Sequence, residues 1–182
     1  MKNLETQRLW LRPLSMSDVP SLVRVIGDPD VMKYSIRGVC DEAMTRQFIQ
    51  WGLECFAAHD IGPWALIEKA SGALIGFCCL GPEEIDGRQE IGLGYRLATR
   101  YWHQGLASEA ARAVLAHVFE DMALSSIVAL VEPDHLASRK VALKAGLVER
   151  ELITFHDRPV RVYRQTRAQW KAGNRLTEHQ LA

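Results

Sequence analysis

The chain has 182 residues, 48% of them hydrophobic, which suffices for one sizeable core and leaves little room for a second complete domain. Its 22 basic and 22 acidic side chains cancel, so it lacks the broad electrostatic footprint of a nucleic-acid or anionic-membrane binder. The most extended uncharged run, residues 70–82, is far shorter than the roughly 18 residues that span a bilayer.

The N-terminal residues 1–6 carry no apolar signal core, so export is not expected and a cytoplasmic location is. Residues 7–13 alternate Leu9 and Leu11 with Arg8, Trp10 and Arg12, the two-residue period of a strand, and Pro13 closes the run. Ser15 or Ser17 then caps a short helix from Asp18 to about Ile26, which Asp28-Pro29 breaks. Asp41 caps a second helix carrying Met44, Phe48, Trp51, Leu53 and Phe56 to about Ala58.

Strands follow over residues 64–68 and 73–80, separated by a Ser71-Gly72 turn. Asp86-Gly87 marks a further reversal, into a strand ending at Leu97. Three strands joined by short turns predict an antiparallel meander. The order then changes to helix (106–122), strand (126–131), helix (136–145), strand (147–155) and, after the Asp157-Arg158-Pro159 turn, a last strand (160–167). Gly146 reads as a left-handed helix cap. We expect one domain over residues 1–170, an α/β (α+β) mixed sheet with helices on both faces, and a loosely held polar tail over 171–182.

Cys40, Cys55, Cys78 and Cys79 form no Cys-x-x-Cys pair and read as buried, reduced thiols. The six histidines have no ligand spacing, so no metal is predicted.

The junction between the strand over 91–97 and the next helix carries the most chemistry. Ile91, Leu93, Tyr95 and Leu97 give the strand period, and Ala107, Ala111, Val114, Val118 and Met122 give the helical one. First-turn amides have no intrahelical partner, and the helix dipole adds about 0.3–2 kcal/mol for an anion docked there. Gly105 lets the backbone approach such a ligand. An ordinary strand-to-helix turn remains the plain alternative. Neither G-x-G-x-x-G after a strand nor G-x-x-x-x-G-K-[ST] occurs.

Three sets of residues carry a resemblance over nearly the whole chain. They are Glu5-Thr6-Gln7-Arg8-Leu9-Trp10-Leu11-Arg12-Pro13-Leu14; Gly94-Tyr95-Arg96-Leu97 followed by Tyr101-Trp102-His103-Gln104-Gly105-Leu106-Ala107-Ser108-Glu109-Ala110; and Ser138-Arg139-Lys140-Val141-Ala142-Leu143-Lys144-Ala145-Gly146-Leu147. In this order and spacing the chain resembles the GNAT acetyltransferase superfamily, in particular its RimJ/RimL-type N-acetyltransferase branch. The resemblance implies a GNAT fold with a mostly antiparallel sheet of about seven strands, splayed between the fourth (91–97) and the fifth (126–131).

It also implies transfer of an acetyl group from acetyl-coenzyme A to a primary amine, with a protein N-terminal amine as one possibility, by direct attack in a ternary complex. Backbone groups at Arg96, Leu97 and Ala98 would bind the pantetheine arm like an added strand. The amides of His103, Gln104, Gly105, Leu106, Ala107 and Ser108 would hold the pyrophosphate.

The sequence departs from the family pattern at three positions. Trp102 stands where Arg or Gln is usual, although an aromatic residue there is common in the RimJ/RimL-type branch. His135 stands where the branch has Asn in Asn-x-x-Ser; it still donates a hydrogen bond to the cofactor arm, or is a surface residue in the first turn of a helix. Gly92 stands where many relatives have a glutamate.

Catalysis requires a neutral amine, a stabilised oxyanion and a hydrogen-bonded leaving thiolate. Ser138 matches the family's serine near the thiol, or else bonds its own backbone. Glu90, about 7 Å along the strand from Gly92, is the first candidate base, acting through water, or is an exposed strand carboxylate. His156 and Asp157 in the last turn are second candidates, or plain turn residues.

The acceptor, a small molecule or peptide, is expected between residues 32–40 and the last hairpin, with Tyr34 in contact and Trp64 more naturally in the core. Balanced charge argues against a strongly cationic acceptor. The chain is expected to be a monomer or homodimer, without nucleic-acid or membrane partners. The alternative is a catalytically weak acetyl-coenzyme A-binding sensor or partner-binding module, motivated by Gly92 and His135.

Overall fold

A computed structural model describes residues 2–180, with side chains described through residue 174. The elements in chain order are β1 (Leu4–Glu5), β2 (Leu9–Pro13), α1 (Val19–Ile26), α2 (Pro29–Met32), α3 (Glu42–His59), β3 (Pro63–Glu68), β4 (Leu74–Ile85), β5 (Arg88–Leu97), α4 (Leu106–Glu120), β6 (Ser126–Val131), α5 (Leu136–Lys144), β7 (Val148–Phe155), β8 (Arg158–Thr166) and α6 (Arg167–Gln180). They form one eight-stranded sheet in the order β1-β2-β3-β4-β5-β6-β8-β7.

Every neighbouring pair is antiparallel except β5 and β6. Those two run parallel and share the single register pair Gly92↔Val128, so the sheet is open beyond it. This is the expected splay, between the fifth and sixth strands once the two-residue β1 is counted. Arg164 stands opposite Val128 on β8 and reaches across β6 to Glu90 on β5, at 2.7 and 2.9 Å. That ion pair ties the two sides of the opening together.

Strand alternation divides the core. Cys78 and Leu80 of β4 and Leu93, Tyr95 and Leu97 of β5 join the cluster under α4, with Val114, Val118 and Phe119. Phe77 and Cys79 turn to the other face, beneath α1 and α3, with Leu22, Ile26 and Ile49. Gly92, Gly94 and Arg96 therefore point to the α1/α3 face. All four cysteines are free and buried.

The structure departs from the sequence reading in several details, among them the last turn, which is His156-Asp157, with Arg158 and Pro159 already paired in β8. The sheet has eight strands rather than about seven. β4 continues five residues past Leu80, because Pro82 and the charged pair Glu83-Glu84 interrupt the apolar pattern but not the pairing with β5. Asp28 accepts from the Asp30 amide at 2.9 Å and opens the short α2 with Pro29 in its first turn. Finally, the polar stretch from Lys171 continues α6, and Trp170 in that helix packs on the main core. No helix among the described residues is long and apolar enough to cross a membrane.

Candidate active site

Two cavities meet where β5 and β6 part. The first, about 650 Å³, runs from the N-terminus of α4 along the end of β5 to α5. The second, about 480 Å³, lies between the segment after α2, the middle of β4 and β5, and the β7–β8 hairpin. Tyr34, Tyr95, Arg96, His135 and Ser138 line both.

The first cavity is floored by the turn before α4. Gly105 adopts φ +77 and His103 φ +60, so two residues in the left-handed region bend the chain into the helix. A Cβ on Gly105 would meet only Arg8 Nη2, at an ordinary 3.6 Å, so the glycine is required by its backbone conformation rather than by crowding from the protein. His103, Gly105, Leu106, Ala107 and Ser108 line the cavity. Gln104 does not: its backbone carbonyl accepts from Arg8 Nη1 at 2.9 Å and its side-chain Nε2 donates to Arg100 O at 3.0 Å.

Glu109 anchors this turn from inside the helix. One carboxylate oxygen accepts from Thr6 Oγ1 (2.6 Å) and the Arg8 amide (2.8 Å), and the other from Arg8 Nε (2.7 Å). Burial alone would raise the Glu109 carboxyl, but these bonds outweigh it and lower it. The N-terminal and α4 motifs, remote in sequence, are therefore one unit. Lys33, Lys140 and Lys144 also line the first cavity, against Asp30 and Asp134. Single-residue periodicity did not single out these cations, although Lys140 and Lys144 are four apart on α5.

At the junction, the Tyr95 hydroxyl donates to Ser138 O at 2.8 Å and lies 3.1 Å from Ser138 Oγ. Burial pushes the Tyr95 phenol up to about 12, so it stays protonated. His135 stacks on Tyr34 with ring centroids 4.1 Å apart. Burial, with the nearby Arg96 charge, pushes its imidazole down to about 4, which keeps it neutral near pH 7. Arg96 donates to Tyr95 O at 2.8 Å, and burial lowers its guanidinium. Leu97 lines the first cavity, although its carbonyl already accepts from the Trp102 indole at 2.8 Å.

Several expected site residues lie elsewhere. The Ala98 amide donates to Ile75 O at 2.9 Å, inside the sheet, and Ala98 lines neither cavity. Glu90 also lines neither cavity: Arg164 holds both its oxygens and, chiefly through these hydrogen bonds, lowers its carboxyl. Its strand position was legible but its partner, 74 residues away, was not. His156 and Asp157 form the β7–β8 turn with φ +48 and +60, outside both cavities. Trp64 is fully buried against Phe56. The second cavity is lined by the expected segment 32–40 and last hairpin, where Arg37 and Arg158 had not been singled out, and by Glu83 of β4, which sequence reasoning missed.

Comparison with known proteins agrees with this architecture. The acetyltransferase (GNAT) domain family matches residues 8–148. The chain is 32% identical over 161 residues to the uncharacterised protein YkkB of Bacillus subtilis (strain 168), covering 88% of this chain and 93% of that one. It is 27% identical to a crystal structure of an acetyltransferase from Agrobacterium tumefaciens str. C58, with TM-score 0.78 and coverage of 91% and 94%. In fold alone it matches RimL, a ribosomal L7/L12 alpha-N-protein acetyltransferase in complex with coenzyme A, at TM-score 0.76, 17% identity and coverage of 91% and 98%. With a family match over most of its length and the sheet opened at Gly92, the chain belongs to the GNAT acetyltransferase family and is an acetyl-coenzyme A-dependent acyltransferase.

Proposed function

We propose that the chain transfers the acetyl group of acetyl-coenzyme A to a primary monoamine, small molecule or peptide N-terminus, by direct attack in a ternary complex. The observation that carries this reading is the sharing of Tyr95 and Ser138 by two adjoining cavities. The first has groups that suit a pyrophosphate and pantetheine arm: helix N-terminal amides, three lysines and the end of β5, where β6 no longer pairs with it. The second is walled by Phe48, Trp51 and Phe77 and suits an apolar amine.

Ser138 is the donor to the leaving sulfur. The Tyr95 proton is committed to Ser138 O, so the hydroxyl left to turn toward a ligand at the junction is that of Ser138. Tyr95 thus positions Ser138. Neutral His135 offers one N–H to the cofactor arm, as an asparagine amide would. Holding thioester and amine in one connected space supplies much of the acceleration.

Charge favours a monoamine. Arg37, Arg96 and Arg158 line the acceptor cavity against Glu83 and Glu132, and Glu132 is already paired with Arg158 at 2.8 Å. A polycation would meet net repulsion there. The resemblance to the RimJ/RimL-type branch favours a peptide N-terminus as one such acceptor, and an α-amine near pKa 8 loses its proton more readily than a lysine near 10.4.

Thiol release from acetyl-coenzyme A, measured over peptide N-termini, aromatic and aliphatic monoamines, amino acids and spermidine, tests the proposal. Monoamines should outpace spermidine. Failure to bind acetyl-coenzyme A at micromolar to low-millimolar levels would overturn it, and tight binding without turnover would favour the sensor reading.

A further inference from the structure

Gly92 is not among the residues with positive φ, so its backbone conformation does not require glycine. A Cβ built on Gly92 would lie 2.6 Å from Glu83 Cγ, and 3.5 Å from its carboxyl carbon and from Oε1. Real Cβ atoms essentially never approach so closely. The register explains the meeting: Gly81 pairs with Gly92 and Glu83 with Glu90, so Glu83 and Gly92 are diagonal neighbours on one face of adjacent strands. The space above Gly92 is taken by the Glu83 side chain, which lines the acceptor cavity.

The other titratable groups of that cavity are poor proton acceptors. Glu132 is bound by Arg158, His135 is pushed down to about 4, and burial raises the Cys40 and Cys79 thiols. Tyr95 is held as a phenol. Glu83 makes no hydrogen bond or ion pair among the described residues. Glu90, opposite it in register, is neutralised by Arg164 and lies outside the cavity.

Resting on the transferase reading above, we propose that Glu83, reaching from β4 over the bare backbone of Gly92, is the general base that takes the proton from the acceptor ammonium. The Glu83 carboxylate accepts one proton from R–NH3+, becoming a neutral acid, and the freed amine nitrogen attacks the thioester carbonyl carbon. As the tetrahedral adduct collapses the C–S bond breaks, the adduct nitrogen gives up its second proton and the thiolate takes one up. Glu83 returns its proton to solvent. The products are amide, free thiol and H+, so charge and atoms balance.

Burial raises the Glu83 carboxyl above its ordinary value, with His156 opposing. Such a shift brings a carboxylate closer to working pH. The charged and titratable groups facing it are Cys79 on its own strand, Glu90 and Arg164 across the sheet, Arg37 after α2, Glu132 after β6, and His156 and Arg158 of the β7–β8 hairpin.

The test is the pH profile of Glu83→Gln against wild type, using the amine that wild type acetylates fastest in the panel. At pH 7 kcat should fall about 100-fold, with the KM for acetyl-coenzyme A and the melting temperature little changed. The deficit should shrink as pH approaches the amine's own pKa. The double substitution Glu83→Ala with Gly92→Glu should recover activity over Glu83→Ala alone, because it returns a carboxylate to the same space from the other strand.

An unchanged profile, a deficit independent of pH, or no recovery in the double variant would overturn the assignment. A wild type that binds acetyl-coenzyme A but acetylates no amine would instead defeat the transferase reading, and the base assignment with it.

Discussion

Arg8, just before β2, grips one carboxylate oxygen of Glu109 in the first turn of α4: Nε and Nη2 each lie 2.7 Å from Glu109 Oε2. Arg8 Nη1 also holds the Gln104 carbonyl at 2.9 Å, so one guanidinium fixes both sides of the Gly105 turn. Glu109→Ala should lower stability by about 1–3 kcal/mol, because it leaves the Arg8 amide and Thr6 hydroxyl without their acceptor. It should also weaken acetyl-coenzyme A binding. Denaturant melts and titration calorimetry measure the two effects, and unchanged affinity would separate the ion pair from the cofactor turn.

Gly105→Val should reduce cofactor affinity by at least tenfold, since a β-branched residue at φ +77 costs roughly 1–3 kcal/mol unless the turn moves. The cause is backbone strain, as a Cβ there clashes with nothing in the protein. Wild-type affinity in a folded variant would refute the placement of the phosphates on this turn.

Ser138→Ala should lower kcat more than it raises KM for acetyl-coenzyme A, by about 10- to 100-fold, as expected for a bond that matters chiefly as the sulfur leaves. Tyr95→Phe should give part of that loss through the freed Ser138 side chain. A variant without Ser138 Oγ that turns over at the wild-type rate would return this serine to a purely structural role.

Glu90→Gln separates architecture from chemistry. Loss of the charge beside Arg164 should destabilise the sheet opening by about 1–3 kcal/mol, while kcat of the folded protein changes little. A selective loss of kcat with full stability would restore Glu90 as the base.

His135 gives the chain a pH-dependent term whose sign is fixed. Its folded pKa of about 4 lies below the ordinary 6.5, so the unfolded chain binds the proton first as pH falls. Its contribution is complete above pH 6.5 and is lost progressively toward pH 4. Denaturation free energies between pH 7 and 5 should fall less steeply in His135→Asn than in wild type. Equal slopes would show that the imidazole is not desolvated.

Much of the fold was legible because its signals are local. Alternation at Leu93, Tyr95 and Leu97, the Asp41 cap, the Gly105 entry and the Gly146 exit each depend on a few neighbouring residues. The lining of the first cavity was legible in part for the same reason, since a strand, a turn and a helix start lie consecutively, although Gln104 and Ala98 fall outside it. Around the second cavity, residues 32–40 and the last hairpin were legible as walls, but the β4 residue between them was not. Glu83 became visible only through the β4–β5 register, and Gly81-Pro82 had ended β4 too early for that register to be drawn. Glu90 was misplaced for a related reason: periodicity gives the face of a strand, but the Arg164 that neutralises it comes from β8.

The central claim, direct transfer between two cavities that meet at Tyr95 and Ser138, is tested most directly by initial rates of thiol release with acetyl-coenzyme A and the best monoamine varied together. Intersecting double-reciprocal lines, with no appreciable thiol release in the absence of amine, are predicted for a ternary complex. Parallel lines with a burst of thiol before amine is added would show an acetylated enzyme and contradict the account.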